Sequence, residues 1–274
     1  MNNESGQLPS QTLTKVINQL LESGSVAVAI TVMSGTENIG SKLLVGEEGR
    51  VWGSLGNEEL DRLVYVHAKK FLNSRIETQT FALKELTPQF STEADILLLF
   101  ERIQPPLRLV VCGAGHVGAA LARLGSFIGY HTTLIDDRAD FVSPPRFVNE
   151  KVNLILAKDW SEAVRDAIGN GKGVAVAVVT RGHNEDEECM RAVVSSKPDY
   201  VGLIGSKRRT NIVLDNLRRG GGSEEQLKNV RAPIGLDIGA VSPEEVALAI
   251  IAEIVAERRG GKGGSLSAWR REKT

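Results

Sequence analysis

The first hundred residues combine two helical and several strand-like patterns of apolar positions. Residues 26–32 form a continuous β-rich run, and Gly24 separates this run from the helical pattern before it. Residues 41–45 and 50–53 flank the turn-forming residues 47–49, which predicts a hairpin. The helical pattern itself is made by Leu13, Val16, Ile17, Leu20 and Leu21.

A second helix and two more strands complete this first region. Asn57 is a typical N-cap residue, and the residues after it place an apolar stripe on one helical face. Strands are predicted near residues 77–83 and 95–101. The Pro105-Pro106 pair removes two backbone donors in succession and forces an extended chain. We therefore predict a small α+β domain over residues 1–103, with a boundary at the prolines.

Beyond the prolines, strand-like and helical patterns alternate. Apolar or β-branched runs occur at residues 107–112, 132–135, 173–180 and 200–204, and each is followed by a helical or glycine-rich segment. This order is typical of right-handed crossovers and an open parallel sheet. The fold class predicted is therefore α/β, with a Rossmann-like parallel-sheet domain over residues 104–260 after the smaller α+β domain. Ligands of such sheets bind at the carboxyl ends of the strands.

The last helix has a clear start. Ser242 is an N-cap candidate, Pro243 occupies the first helical position, and Glu245 the third. The body of this helix, residues 246–259, is apolar on most sides, so we expect it to be buried against its own domain or at a subunit interface. The second possibility predicts a homodimer. Residues 261–274 are predicted to be a flexible tail.

Charge and cysteine content narrow the class of protein. A formal net charge of -1 gives no field that would attract nucleic acid or an anionic membrane surface, so neither partner is expected. The chain has 2 cysteines, which are far apart in sequence and have no partner at metal-ligand spacing. No signal sequence or membrane-spanning run is evident. These features predict a protein of the cytoplasm without a disulfide framework.

The turn after the first strand of the second domain carries the strongest motif. Gly113, Gly115 and Gly118 follow a predicted strand and open a predicted helix, the context in which a glycine-rich turn holds a phosphate. His116 lies inside this turn and either contacts the ligand or faces solvent. Asp136 and Asp137 end the next strand, where a carboxylate commonly accepts ribose hydroxyls. NAD(P) and other phosphorylated ligands both remain possible, and so does a packing role for the glycines.

Two cationic loops follow later strands of the same sheet. Arg181, Gly182 and His183 come directly after one strand, and the second loop reads Gly205-Ser206-Lys207-Arg208. Cations, a hydroxyl and a helix start are the composition of an anion site. For the first loop the alternative is that Arg181 pairs with the carboxylates that follow it, and for the second loop the alternative is solvated surface charge. Because carboxyl ends of parallel strands meet at one edge, we expect both loops to flank the glycine turn and to form one anion site with it.

Other residues give weaker signals. Cys112 and Cys189 fit a buried apolar role better than a reactive one. The glycine-rich segment 233–239 fits either packing or contact with a flat ligand. The chain has no phosphate-loop signature, nucleophile elbow or zinc-protease motif. The sequence therefore assigns no catalytic residue and no metal ligand.

Taken in order, these motifs resemble those of the XdhC/CoxI family of xanthine dehydrogenase accessory proteins. The resemblance rests on the glycine turn, Asp136-Asp137-Arg138, Thr180-Arg181-Gly182-His183, the loop at 204–208 and the segment 232–239. It implies a factor that transiently binds the molybdenum cofactor (molybdopterin), helps it acquire its terminal sulfur, and delivers it to a xanthine dehydrogenase-type molybdenum hydroxylase. It further implies a cysteine desulfurase as a possible partner. Such chains often carry the name of the enzyme they serve.

The first domain resembles the family's other domain less closely. The similarity lies in residues 40–45 and 53–56, but Thr36-Glu37-Asn38 stands where related chains usually have Ser-Pro-Arg. Asn57-Glu58-Glu59 stands where many carry Gly-Gly-Cys. The cysteine proposed to bind the cofactor in those chains is therefore missing here.

Two classes of function compete on these residues. A non-catalytic cofactor chaperone is the favoured hypothesis, and the family resemblance supports it. A small NAD(P)-dependent oxidoreductase, or a protein that senses a nucleotide, is the alternative, and the glycine turn with Asp136 supports it.

Overall fold

The computed structural model describes residues 10–35, 37–74, 76–86 and 96–267. The chain divides into two compact units, Met1–Pro105 and Pro106–Thr274. Three features predicted or compared above fall outside the described residues: Thr36, the first residue of the strand predicted at 95–101, and the end of the tail from residue 268.

The first unit is an antiparallel sheet with helices on it. In chain order the elements are α1 (Ser10–Glu22), β1 (Ala27–Ser34), β2 (Lys42–Gly46), β3 (Val51–Ser54), α2 (Glu58–Asn73), β4 (Thr78–Ala82), α3 (Leu83–Leu86) and β5 (Leu97–Ile103). The strands lie in the order β3-β2-β1-β5-β4, and every neighbouring pair is antiparallel. Strands β2 and β3 form the predicted hairpin.

The first half of strand β1, residues 27–30, is apolar without interruption because both of its faces are covered. Val28 and Ile30 pack into the core under α2 and α3, whereas Ala27 and Ala29 belong to the smaller cluster that includes Leu13 of α1. Helix α2 begins where the sequence predicts, since the Asn57 side chain accepts hydrogen bonds from the backbone N–H groups of Glu59 and Leu60.

The second unit is a parallel sheet covered on both faces. In chain order the elements are β6 (Arg108–Cys112), α4 (His116–Phe127), β7 (His131–Asp136), two short 3-10 helices (Ala139–Val142 and Pro144–Phe147), β8 (Val152–Leu156), α5 (Trp160–Ile168), β9 (Val174–Val178), α6 (His183–Ser196), β10 (Tyr200–Leu203), α7 (Lys207–Arg219), α8 (Glu224–Lys228) and α9 (Pro243–Arg259). The strands lie in the order β10-β9-β6-β7-β8, and every neighbouring pair is parallel.

This strand order is that of the Rossmann fold, which confirms the predicted fold class. The chain lays β7 and β8 on one side of β6, then crosses back to lay β9 and β10 on the other side. The reversal creates a crevice at the carboxyl ends of β6 and β9, the place where ligands of such sheets bind. The loops after β6, β7, β9 and β10 surround this edge.

Each face of the parallel sheet has its own core. One core joins the sheet to α4 and α9, and the other joins it to α5, α6 and α7. Helix α9 starts with the predicted capping box between Ser242 and Glu245, and it buries Ala247, Ile250 and Ile254. Most of its apolar residues therefore pack inside their own unit. Among the helices of the described ranges, none has the length and apolar character needed to cross a membrane.

Candidate functional site

Two of the three glycines after β6 are required by packing. Gly113 has a φ of +108°, and a Cβ atom there would lie 2.6 Å from the carbonyl oxygen of Val179. A Cβ atom at Gly118 would lie 1.8 Å from the carbonyl oxygen of Gly113. Any side chain at either position would therefore force the turn away from the β9 loop or away from α4.

Gly115 is different, because the fold itself does not require a glycine there. Its φ of -63° suits any residue, and a Cβ atom built on it would meet no atom of the described chain within 4 Å. Gly115 is the N-cap of α4, and no described side chain caps this helix start. The first N–H groups of α4 thus point toward open space, and a helix start of this kind attracts anions. The next residue, His116, is exposed.

Asp136 lies directly beneath the turn and is turned inward. Its side chain is 2% exposed. One carboxylate oxygen accepts from the Ala114 N–H at 2.7 Å and from Nη2 of Arg138 at 2.9 Å. The other accepts from the N–H and Nε of Arg138 at 3.0 and 2.8 Å. The position of Asp136 suggested a ribose contact, but its oxygens are instead engaged in holding the glycine turn.

The charge state of Asp136 follows from these contacts. Burial alone would raise the pKa of this carboxyl, but the hydrogen bonds from Arg138 and from the Ala114 N–H together hold the pKa below its usual value. The ionised carboxylate is therefore a fixed part of the fold at neutral pH.

An aromatic residue and two arginines support the turn from the β7 side. The guanidinium carbon of Arg138 lies 3.6 Å from the centre of the Phe141 ring, and that of Arg146 lies 5.0 Å from the same ring. Arg146 donates to the carbonyl oxygens of Phe141 at 2.7 Å and Ala114 at 3.4 Å. Sequence analysis did not select Phe141 or Arg146, because they lie in an irregular segment and match no motif.

Arg181 is held by carboxylates. Its two terminal nitrogens pair with the two oxygens of Asp137 at 2.9 and 2.8 Å, and Glu185 lies 3.3 Å away. The structure thus brings together Arg181 and Asp137, which the sequence places on separate loops. The alternative in which Arg181 pairs with the carboxylates that follow it in the sequence therefore holds for one of them, Glu185.

An ion pair between a buried aspartate and a partly exposed arginine connects the first turns of α6 and α7, the helices that follow the two cationic loops. Asp186 is fully buried in α6, accepts from the Thr180 hydroxyl at 2.6 Å, and pairs with Arg209 of α7 at 2.5 Å. Burial raises the pKa of the Asp186 carboxyl, and the contacts with Thr180 and Arg209 oppose that shift. Both residues belong to charged runs in the sequence, where a buried member cannot be distinguished from its exposed neighbours.

An open cleft of about 460 Å³ lies between the starts of α6 and α7. Three of its lining residues are arginines, of which Arg181 and Arg209 already pair with carboxylates. The charge available to an anion therefore comes chiefly from Arg208 and from the starts of α6 and α7. The lining residues are Arg181, Gly182, His183, Ser206, Arg208, Arg209 and Ile212. Five of these are predicted site residues. Gly205 lies in the loop between β10 and α7, and Lys207 is the first residue of α7, but neither is among the residues that line the cleft.

The glycine turn adjoins this cleft without lining it. Gly113 packs against Val179 and Thr180, which lead into the loop that forms one wall of the cleft. The predicted residues therefore form two neighbouring parts at one sheet edge: the open start of α4, and the cationic cleft between α6 and α7. We name the two parts together the carboxyl-edge site.

The remaining candidate residues serve packing. Cys112 and Cys189 are both buried, and burial together with contact with Cys112 raises the pKa of the Cys189 thiol. The first part of segment 233–239 is also packed, since Ile234 fills the space beside Gly202 and the Gly235 N–H donates to Glu253 at 2.9 Å. Ile238 in the same segment is 51% exposed.

Three relatives share parts of this sequence. Uncharacterized protein YqeB of Escherichia coli K12 is 25% identical over 88% of this chain and 44% of its own length. A Bacillus subtilis 168 protein described as a probable xanthine dehydrogenase subunit is 28% identical over 63% of this chain and 48% of its own. The molybdenum cofactor insertion chaperone PaoD of E. coli K12 is 24% identical over 69% and 52%. The chain thus spans about half the length of the curated relatives it matches.

A solved structure shares the fold over most of the chain. It is a Bacillus halodurans protein described as a xanthine dehydrogenase, with a TM-score of 0.51 and 18% sequence identity, covering 93% of this chain and 98% of that one. At this level of identity the likeness concerns the fold alone.

The family follows from the second unit. Residues 109–254 match the family described as the XdhC Rossmann domain. These residues include the glycine turn, Asp136, both cationic loops and the start of α9, so the match covers every part of the carboxyl-edge site. The chain therefore belongs to the XdhC family, as its motifs predicted.

Proposed function

We propose that this protein is an accessory factor that binds the molybdenum cofactor as cargo and passes it to a xanthine dehydrogenase-type molybdenum hydroxylase. Family membership supports an accessory role, and one relative is named a molybdenum cofactor insertion chaperone while another is named for xanthine dehydrogenase. The proposal includes transient binding, support of sulfuration with a cysteine desulfurase as partner, and a cytoplasmic location.

The observation that carries the proposal is the combination of an open helix start with a cationic cleft at one edge of the sheet. Molybdopterin carries a phosphate, and the space before Gly115 is where a phosphate would meet the first N–H groups of α4. A Cβ atom would enter this space, which is the property expected of a cradle. The residues present therefore fit a phosphorylated ligand.

The proposed binding residues divide between the two parts of the site. Gly115 and His116 would receive the phosphate at α4, with Gly113, Gly118 and Asp136 shaping the turn. On the other side Arg208, Ser206 and His183 line the cleft, where they would contact further anionic groups of the cargo. The backbone of these loops would be positioned by Gly182, Gly205 and Lys207. The ion pair between Asp137 and Arg181 connects the two parts of the site. The molybdenum of the cargo supplies redox chemistry only after it reaches the hydroxylase.

Sulfuration is proposed to use a sulfur donor from another protein. The chain's 2 cysteines, Cys112 and Cys189, are buried in the second unit. Glu59 stands where many family members have a cysteine, and here it lies in the first turn of α2, the helix capped by Asn57. A thiolate from the first unit therefore has no counterpart in this chain, and the partner desulfurase would bring the sulfur.

The oxidoreductase alternative is weakened by Asp136. Recognition of a nucleotide ribose at this position needs a carboxylate that faces the ligand. Both oxygens of Asp136 accept hydrogen bonds from inside the fold, one from the Ala114 N–H and the other from Nε of Arg138. The geometry thus favours phosphate recognition over recognition of a ribose diol.

A transfer assay tests the proposal. The purified chain is loaded with molybdenum cofactor and mixed with a cofactor-free hydroxylase, and recovery of hydroxylase activity is compared with recovery from the same amount of free cofactor. We expect faster or more complete recovery from the loaded chain. Equal recovery from both sources, together with saturable NAD(P) binding and turnover, would favour the oxidoreductase.

A further inference from the structure

The ion pair between Asp137 and Arg181 joins two loops that are not neighbours in the sheet. Asp137 follows β7, Arg181 lies in the loop after β9, and β6 runs between these two strands. Two strand spacings amount to about 10 Å, a gap that an arginine and an aspartate can bridge together. Their paired atoms lie 2.9 and 2.8 Å apart.

This pair must therefore cross the carboxyl end of β6, where the glycine turn begins. The turn also contacts the residue that precedes each member of the pair, because the Ala114 N–H donates to Asp136 and Gly113 packs against Thr180. The Asp137–Arg181 pair thus spans the turn from one side to the other. We call it the strap.

The strap is built from groups that can exchange partners. The Arg181 and Asp137 side chains are 46% and 30% exposed, so their separation needs no opening of the core. The guanidinium of Arg181 presents two parallel N–H groups to Asp137, and a phosphate offers the same pair of acceptor oxygens. Asp137 and Glu185 hold the guanidinium of Arg181, which also lines the cleft between α6 and α7.

We propose that Arg181 changes partner when an anionic group enters the glycine turn: it leaves Asp137 and binds the oxygens of the ligand. Asp137 then competes with the ligand, lowers its affinity, and recaptures Arg181 when the ligand departs. Such competition suits a protein that must release its cargo. The inference rests on the proposed function only in requiring that an anionic group occupies the turn.

Titration calorimetry with inorganic pyrophosphate tests the strap. Asp137→Asn should tighten pyrophosphate binding, because the ligand no longer competes with a charged carboxylate for Arg181. The expected gain is only about two- to five-fold, because an exposed ion pair contributes modestly. Asp215→Asn is the matched control: it removes the same charge from an exposed pair with Arg218, near the far end of α7. This control should leave the affinity unchanged.

Arg181→Ala separates partner exchange from simple charge repulsion. Alone it should weaken pyrophosphate binding. When Asp137→Asn is added to Arg181→Ala, binding should not tighten, because the arginine for which Asp137 and the ligand compete is absent. The proposal is overturned if Asp137→Asn alone binds equally or more weakly, if its tightening persists without Arg181, or if no variant binds pyrophosphate at all. Failure of molybdopterin to bind would contradict the proposed function but leave these pyrophosphate results valid.

Discussion

A methyl group added at Gly115 would enter open space, whereas one added at Gly118 would collide with the carbonyl oxygen of Gly113. We therefore expect Gly115→Ala and Gly115→Val to fold with nearly unchanged stability and to bind molybdopterin more weakly. Gly118→Ala should destabilise the protein by about 1–3 kcal/mol through overpacking. Thermal unfolding beside a binding titration measures both effects. Wild-type affinity in folded Gly115→Val would show that the glycine turn serves packing alone.

Asp136 should stabilise the fold in a pH-dependent way. Its folded-state pKa is lowered, so its stabilisation is present above the unfolded-state pKa of about 4 and is lost as pH falls through the folded value. Asp136→Asn should cost about 1–3 kcal/mol at neutral pH, because charged hydrogen bonds to Arg138 and Ala114 are lost. Urea unfolding at a series of pH values should show this difference shrinking below about pH 4. A difference independent of pH would contradict the assignment.

For single residues, the sequence predicts where a residue lies in the fold better than the direction in which its side chain points. The end of β7 placed Asp136 at the correct edge, but the contacts that turn it inward come from Arg138 and from the backbone of a distant loop. Asp186 could not be recognised as the buried member of an acidic run, because its burial depends on Arg209, which packs against it from another helix.

Among the secondary-structure elements, helix starts were predicted most accurately. Asn57 and Ser242 each cap the helix that the sequence assigns to them, since a cap depends on local hydrogen bonds. Strand β8 was not predicted. It lies at the edge of the sheet, Asn153 interrupts its apolar run, and its residues are only partly buried, so it lacks the continuous apolar pattern of a central strand.

The capping box of α9 should make a measurable contribution to the stability of the protein. Ser242 accepts from the Glu245 N–H, and the Glu245 side chain accepts from the Ser242 N–H. Ser242→Ala should lower the free energy of unfolding by about 1 kcal/mol, whereas Ser242→Asp should retain most of it because aspartate also caps helices. Chemical denaturation measures both variants. Equal losses for alanine and aspartate would exclude the cap as the cause.

For the whole molecule, the homodimer predicted from α9 remains a proposal, and the packing of this helix supports it less than its apolar sequence did. Most of the apolar residues of α9 pack in their own unit, but Leu248 is 50% exposed and Val241, just before the helix, is 88% exposed. If these residues form a contact between subunits, Leu248→Asp should shift a dimer to monomer in sedimentation velocity experiments. A wild-type protein that sediments only as a monomer at micromolar concentration would remove the proposal.

The most direct measurement of the central claim is a fluorescence titration of molybdopterin against wild type, Arg208→Ala and Arg219→Ala. Both arginines belong to α7, but Arg208 lines the cleft while Arg219 lies at the other end of the helix, about 16 Å along its axis. A charged hydrogen bond contributes about 1.5–3 kcal/mol, so Arg208→Ala should weaken binding on the order of ten-fold or more. Arg219→Ala should bind like wild type. Equal affinity in all three proteins would contradict the placement of the cofactor at the carboxyl-edge site.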